Sequence, residues 1–214
     1  MTYVALTIGP ILKTLQHAKK PKELFSSSYI FSYVMRQIID KFRNNEFVMP
    51  YIKDASIFDS NSNVGLFHDR FIFKSKEGDL EKLENAINEV LQEVSDNLNI
   101  DLTTTKNYFQ IHFFEKKLKD NENPILVLTP YLDSKELFLQ SANDDTFLKK
   151  LSRKKGDKDN FLTENKGIVD DLKQLSSSNY YCVVHADGDN MGKAISDINN
   201  IEQISKSLFD YCVE

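Results

Sequence analysis

The sequence predicts an α+β fold in which an antiparallel sheet is covered by two long helices. Apolar residues recur at spacings of three and four from Ile30 to Phe42 and from Leu80 to Leu98, which is typical of amphipathic helices. Short β-favouring runs stand before, between and after these helices, at 3–8, 47–52, 66–74 and 108–114. The order strand, helix, strand, strand, helix, strand is the ferredoxin-like (βαββαβ) arrangement.

Boundary residues support most of these elements. Gly9-Pro10 stops the first strand, and the polar, basic residues 13–23 predict a loop or a short helix. A serine at 26, 27 or 28 is expected to cap the first long helix. Pro50 favours an edge position for the second strand, and Gly78-Asp79 begins the second helix.

The pattern is less regular after the fourth strand. Residues 125–128 favour a short strand, and residues 133–151 and 160–175 favour helices. The basic run at 149–155 is interpreted as a solvated loop, with an RNA or subunit contact as the alternative.

A new strand at 180–186 is followed by a helix at about 190–198, with further apolar periodicity towards Cys212. We therefore predict a ferredoxin-like domain over 1–117, a partly helical connecting region over 118–177 and the beginning of a second domain over 178–214.

Composition narrows the class of protein. Of 214 residues, 41% are apolar and 28% charged, which is ordinary for a soluble globular chain. The net charge of −5 argues against a free nucleic-acid binder, so any RNA contact is expected to be local or shared with partner subunits. Two cysteines, Cys182 and Cys212, exclude a disulfide framework and fit a reducing cytoplasm. No signal peptide or membrane span is expected.

The most distinctive motif is Asp187-Gly188-Asp189-Asn190, directly after the strand at 180–186. Two carboxylates at the end of a buried strand are costly unless a cation lies beside them, and Mg²⁺ prefers such oxygen ligands. Gly188 allows the backbone to approach a ligand closely. An Asx-type turn that caps the next helix remains the alternative. A calcium loop is excluded, because Ile198 occupies the position of the bidentate glutamate.

The strand followed by Asp-Gly-Asp-Asn-Met-Gly at 187–192 resembles the metal-binding strand of the palm domain in the large subunit of type III CRISPR effector complexes. The Cmr-type (III-B) form is the most similar. Residues 5–11 (ALTIGPI) and 24–32 (LFSSSYIFS) likewise resemble the first strand and first helix of that family's N-terminal palm. The resemblance implies the N-terminal portion of such a subunit, with a whole first palm and a truncated second palm.

The resemblance also implies an activity, in which paired palms convert ATP into a nucleotide second messenger when the complex binds target RNA. Asp187 and Asp189 would be catalytic, and with Gly188 they would hold Mg²⁺ or Mn²⁺. The residues implied to contact the nucleotide are Ser27, Ser28, Tyr29, Asn190 and Lys193. For the two serines and Tyr29, helix capping and core packing are the alternative roles. The implied partners are other Cmr subunits, crRNA and target RNA, without a membrane.

The chain departs from the family pattern at the catalytic hairpin. The active palm carries Gly-Gly-Asp-Asp, whereas the Gly-Asp pairs here stand at 78–79, 156–157 and 188–189. We therefore expect these 214 residues alone to be inactive, as an N-terminal piece or as a naturally shortened form.

A non-catalytic ferredoxin-like scaffold that binds RNA or a subunit is the alternative function. Residues 108–114 contain aromatics for such a role but lack the glycine and basic spacing of RNA-binding sheets. The neighbours His68, Asp69 and Arg70 are interpreted as structural, since no nucleophile stands near them in the sequence.

Overall fold

The computed structural model describes residues 1–19, 21–53, 55–58, 67–140, 147, 150, 193, 196 and 200–213. The strands in these ranges are β1 (Thr2–Gly9), β2 (Phe47–Met49), β3 (Arg70–Lys74) and β4 (Gln110–Lys117). The helices are α1 (Ile11–Leu15), α2 (Pro21–Asp40), α3 (Asp79–Leu98), α4 (Leu102–Tyr108), α5 (Pro124–Glu136) and α6 (Ile201–Val213), with a 3₁₀ turn at Ala55–Phe58.

The four strands form one antiparallel sheet in the order β2-β3-β1-β4. Thr7 of β1 stands opposite Arg70 of β3 and His112 of β4, so these three side chains share one face of the sheet. The α+β prediction is confirmed, and the strand order is compatible with a ferredoxin-like domain. The edge position predicted for the second strand is also confirmed.

Helices α2 and α3 cover one face of the sheet. Alternate residues of β1, namely Val4, Leu6 and Ile8, are at most 1% exposed and join the same core as both helices. The predicted apolar stripes form the buried sides of these helices, because residues three and four apart share a helix face. Leu80, in the first turn of α3, is an exception and is 37% exposed.

The second face of the sheet is covered by α5. Tyr3 and Ala5 of β1 pack in a separate core with Leu128 and Leu132 of α5, and Ile201 at the start of α6 joins them. Helices therefore lie on both faces of the sheet. This arrangement buries the alternate side chains of β1 that a two-layer fold would leave in solvent.

The strand predicted at 125–128 is wrong, because these residues lie in α5. The Asn123 side chain caps the helix by accepting hydrogen bonds from the backbone N–H of Ile125 (3.0 Å) and of Leu126 (3.4 Å). Pro124 occupies the first turn, where its fixed φ suits a helix. The helix predicted at 133–151 is partly wrong, since α5 ends at Glu136.

The serine cap predicted for the first long helix is also wrong. Helix α2 begins at Pro21, so Ser26, Ser27 and Ser28 lie inside it. The Ser27 hydroxyl donates a hydrogen bond to the Leu24 carbonyl oxygen (2.9 Å), a bond that a serine forms in a helix interior.

The fourth strand begins two residues later than predicted, at Gln110, because Tyr108 closes α4. Asp101 starts that helix by accepting a hydrogen bond from the Thr104 N–H (2.8 Å). The elements predicted at 160–175 and 180–186 lie outside the described residues. Ser196 lies in a turn, so α6 is a separate element from the helical stretch that contains Lys193.

Phe147 fills the core beside α4. It is fully buried, and its ring stacks on Tyr108 with the ring centroids 3.8 Å apart and meets Phe109 edge-on at 5.4 Å. The nearby Lys150 ammonium donates to the Asn99 carbonyl oxygen at the C-terminal end of α3. Both residues fall in the predicted connecting region, and they attach it to the sheet domain.

In the described part of the chain, no helix combines the length and the hydrophobicity needed to span a lipid bilayer.

Candidate functional site

A pocket of about 150 Å³ lies where α1, α2 and the residues just before β3 meet. Its lining residues are Ile11, Ser28, Tyr29, Phe31, Ser32, Phe67 and Asp69. Two of the three nucleotide-contacting residues implied for the first domain, Ser28 and Tyr29, are thus brought together. The third, Ser27, is fully buried and bonded to the Leu24 carbonyl, and it does not line the pocket.

Helix periodicity and strand register assemble the pocket. Ser28 and Ser32 are four residues apart on α2, so they lie one above the other on a single helix face. The Ile8 N–H donates to the Asp69 carbonyl oxygen (2.9 Å), which sets Asp69 opposite Ile8 of β1. Opposite residues share a sheet face, and Ile8 belongs to the core beneath α2. Asp69 therefore faces α2, whereas Arg70 faces α5.

The polar groups of the pocket differ in their hydrogen-bonding capacity. The Ser32 Oγ accepts from the Phe67 N–H (3.0 Å), so its own hydroxyl proton is left to donate elsewhere. Ser28 is exposed at the rim. Within the described ranges, no other side chain forms a hydrogen bond or an ion pair with the Asp69 carboxyl. The pocket thus offers an acceptor and hydroxyl donors between the apolar walls Ile11, Phe31 and Phe67.

Burial raises the pKa of Asp69 above its ordinary value of 3.8, and the negative charge of Glu136 raises it further. The charge of Arg70, the backbone N–H of Asp69 and His68 oppose this effect without cancelling it. A carboxyl with a raised pKa is ionised less easily in the folded protein than in the unfolded chain. Its ionisation at neutral pH therefore costs stability.

Replacing Asp69 with asparagine is expected to raise the melting temperature at neutral pH, because the amide removes the cost of a half-buried charge. The folded state binds the Asp69 proton more tightly than the unfolded state, so wild-type stability from this group falls as pH rises above 3.8. The gain from Asp69→Asn should be small near pH 4 and larger at pH 7, as measured by thermal unfolding. Asp120, whose side chain is 89% exposed, provides the control Asp120→Asn. A lower melting temperature for Asp69→Asn at pH 7 would contradict this account.

The opposite face of the same strand end carries a charged cluster. Arg70 contacts Glu136 (Nη2 to Oε1, 2.6 Å) and Asp133 (Nη2 to Oδ1, 2.8 Å) of α5, and the Thr7 hydroxyl donates to the same Glu136 oxygen (2.6 Å). The structural role predicted for Arg70 is confirmed. This cluster attaches α5 to the sheet. It also engages Arg70, the cationic residue nearest to Asp69 in the sequence, in ion pairs with α5.

A second pocket, of about 390 Å³, lies between the end of α2 and the first half of α3. Its buried carboxyl, Asp79, accepts from the Asn45 amide (2.7 Å) and the Lys76 N–H (2.9 Å). Lys41 at its edge is paired with Glu89 (2.7 Å). Because Asp79 and Lys41 each already have partners within the protein, this pocket is a weaker candidate for ligand binding than the Asp69 pocket.

The residues predicted in the second domain lie mostly outside the described residues. Asp187, Gly188, Asp189 and Asn190 are among these, and Lys193 is exposed in a helical stretch. Where the structure is described, no three acidic, histidine or cysteine side chains converge as metal ligands. The predicted Mg²⁺ or Mn²⁺ site remains a prediction.

Sequence reasoning did not find Asp69 as a pocket residue. The sequence showed only that His68, Asp69 and Arg70 precede a β-favouring run. The alternation of side chains along a strand does not tell which of these residues lies on which face of the sheet. The register of β1 against β3 was required.

The described fold and pocket place this protein among the α+β proteins with a small polar pocket beside the sheet. It contains an α+β domain with a four-stranded antiparallel sheet, helices on both sheet faces and a small carboxyl- and hydroxyl-lined pocket. Residues 3–99 match the family model described as "CRISPR-associated protein Cmr2, N-terminal". This match supports the resemblance of these residues to the N-terminal portion of Cmr2, the large subunit of type III-B Cmr complexes. A search of curated proteins gives no match.

The matched region runs from β1 to the end of α3 and includes Ser28, Tyr29 and Asp69. The resemblance seen at 5–11 and 24–32 is therefore confirmed. The motif at 187–192 lies outside the matched residues, so its role stays a prediction.

Proposed function

We propose that this chain forms part of a Cmr large subunit whose paired palms convert ATP into a nucleotide second messenger when the complex binds target RNA. The observation that carries the proposal is the pocket that contains Ser28 and Tyr29. It lies inside the region matched to Cmr2, and its volume of about 150 Å³ suits one ring or sugar of a nucleotide. Pockets that enclose a whole ligand are larger, about 300–1,000 Å³.

In this proposal the first domain positions the nucleoside end of ATP. Ser28 and the hydroxyl of Ser32 would donate hydrogen bonds, and the walls formed by Phe31 and Phe67 would exclude water from the bound group. Such positioning lowers the entropic cost of bringing a ribose hydroxyl to the α-phosphate of a second nucleotide. Tyr29, which is 7% exposed, would support the wall of the pocket.

The triphosphate would lie against the second palm. Asp187, Asp189 and the Gly188 carbonyl supply oxygen donors of the type that Mg²⁺ and Mn²⁺ prefer, so the residues fit the implied cation. A cation held there would neutralise charge on the phosphates. Lys193 and Asn190 follow the motif directly and would extend phosphate or ribose contacts. The Gly-Gly-Asp-Asp hairpin implied for the active palm is not contributed by these 214 residues.

We propose contacts with crRNA and target RNA through the assembled complex. The alternative function is a non-catalytic scaffold. If such a scaffold bound RNA through its sheet, it would need exposed aromatic side chains on an uncovered sheet face. Tyr108 and Phe109 are buried, and Phe114 packs against Tyr131 of α5. These contacts favour the catalytic proposal over RNA binding by the sheet face.

The test is ATP turnover by the complete large subunit in a complex reconstituted with its partner subunits, crRNA and target RNA. With Mg²⁺ or Mn²⁺ present, Asp187→Ala is expected to lower turnover about 100-fold or more, since it removes charge stabilisation at the phosphates. Asp120→Ala is the control, because this exposed carboxylate lies in the turn after β4. Assembly is checked by size-exclusion chromatography. Full turnover by the assembled Asp187→Ala complex would remove Asp187 from the mechanism.

A further inference from the structure

Asp69 supplies the carboxylate of the α2 pocket. Its other lining residues are apolar, aromatic or hydroxyl-bearing. A carboxyl placed among such neighbours loses hydration without gaining an ionic partner, which costs free energy. This arrangement is unfavourable for folding alone, and such positions are often functional.

The strand register keeps the neighbouring arginine from pairing directly with Asp69, so its charge relieves this cost only in part. Arg70 follows Asp69 directly and points to the other sheet face, where Glu136 and Asp133 bind its guanidinium. Consecutive residues of a strand face opposite sides. In the described part of the chain, Asp69 therefore keeps its acceptor capacity for a group that enters the pocket.

The pocket presents a definite pattern of donors and acceptors. Asp69 accepts hydrogen bonds, and the Ser32 hydroxyl, whose oxygen accepts from the Phe67 N–H, keeps its proton to donate. Phe31 and Phe67 supply flat apolar walls. A flat ring that carries an amino group beside an unprotonated ring nitrogen complements this pattern. Adenine has that arrangement, whereas hypoxanthine has a carbonyl and a ring N–H in the same two places.

We propose that Asp69 is a specificity-determining residue that accepts a hydrogen bond from the exocyclic amino group of the adenine of ATP. This inference rests on the proposed function, because it assigns the nucleobase end of ATP to the α2 pocket. Asp69 selects the base and does not take part in phosphate chemistry. A serine hydroxyl of α2 donates to the adjacent ring nitrogen.

The test compares ATP with inosine triphosphate (ITP), which exchanges the amino group for a carbonyl oxygen. The reconstituted complex is measured for kcat/KM with each nucleotide, and its dissociation constants are measured by calorimetry without target RNA. Wild type is expected to prefer ATP by about 10-fold or more, because a hydrogen-bonding site rejects a ligand that leaves its buried groups unpaired. Asp69→Asn should bring the ratio close to one, since its amide can turn its NH₂ towards the ITP carbonyl.

Asp133→Asn is the matched control, because it changes a carboxylate on the opposite face of the same strand end. It should leave the ratio of ATP to ITP unchanged even if it lowers stability. A purely structural role for Asp69 would change both nucleotides in parallel, so an unchanged ratio in Asp69→Asn overturns the inference. A wild-type preference for GTP over ATP also overturns it, because an ionised carboxylate can accept from two neighbouring donors of guanine.

The two proposals fail in different ways. If Asp187→Ala abolishes turnover while the ATP to ITP ratio is insensitive to Asp69→Asn, the proposed function stands and this inference falls. If the complex binds ATP with an Asp69-dependent preference but does not turn it over, the inference stands and the catalytic proposal falls. Absence of any nucleotide binding overturns both.

Discussion

Replacing Phe147 with alanine is expected to lower the free energy of unfolding by about 3–5 kcal/mol. The ring is fully buried, stacks on Tyr108 at 3.8 Å and meets Phe109 at 5.4 Å. Truncation would remove these contacts and leave a cavity in the core that α4 shares with α2 and α3. It would also expose the Tyr108 hydroxyl, which is buried without a hydrogen-bond partner among the described residues. In the wild-type fold, burial raises the pKa of the Tyr108 hydroxyl above its ordinary value.

The measurement is urea unfolding of the 214-residue chain, followed by circular dichroism. Phe138→Ala is the matched control, since this phenylalanine is 76% exposed at the end of α5 and should change stability by about 0.5 kcal/mol or less. Similar losses for the two variants would show that Phe147 does not occupy the core position described here. Tyrosine absorbance and fluorescence provide a second readout, because solvent entry at the Tyr108 ring should shift both.

Replacing Arg70 with leucine is expected to destabilise the fold by about 2–3 kcal/mol, because hydrogen bonds to charged groups are lost and an acid is left unpaired. The Arg70 side chain is 19% exposed and that of Glu136 is 30% exposed, so solvent screens this pair only in part. Loss of Arg70 would leave Glu136 with the Thr7 hydroxyl as its partner. It would also loosen α5 from the sheet face that contains Tyr3 and Ala5.

Replacing Arg70 with leucine should also change how the free energy of unfolding depends on pH in the acid range. Burial alone would raise the pKa of Glu136, but hydrogen bonds from Arg70 and Thr7 and the charge of Arg70 outweigh it and lower the pKa below 4.5. The wild-type contribution is therefore complete above pH 4.5 and is lost as pH falls through the folded-state value. In Arg70→Leu the burial effect should dominate, so this acid-dependent loss should disappear or reverse.

Chemical unfolding from about pH 3 to 7 tests this expectation in a double-mutant cycle with Glu136→Gln. Lys41→Met is the control, because Lys41 and Glu89 form an exposed pair with side chains 42% and 67% accessible. That variant should lose less than about 1 kcal/mol and retain the wild-type acid profile. Additive effects of Arg70→Leu and Glu136→Gln would argue against coupling between these residues.

The sequence predicted the sheet and its two main helices because their signals are local. The β-favouring run of β1 and the three-and-four spacing of α2 and α3 are visible without any long-range contact. The run Ile125–Leu128 failed because four apolar residues fit a buried strand or a buried helix equally well. The Asn123 cap and the open face of the sheet decided for the helix.

Ser28 and Tyr29 were found through resemblance, and Asp69 was found through the tertiary structure. A one-residue shift of β3 against β1 would put Arg70 into the α2 pocket and Asp69 beneath α5. The sequence by itself determined the four strands and the two long helices, since β-favouring runs and helical periodicity depend on residues close in the chain. The contents of the pocket depend on register and on helix packing across distant segments, so the tertiary structure alone decided them.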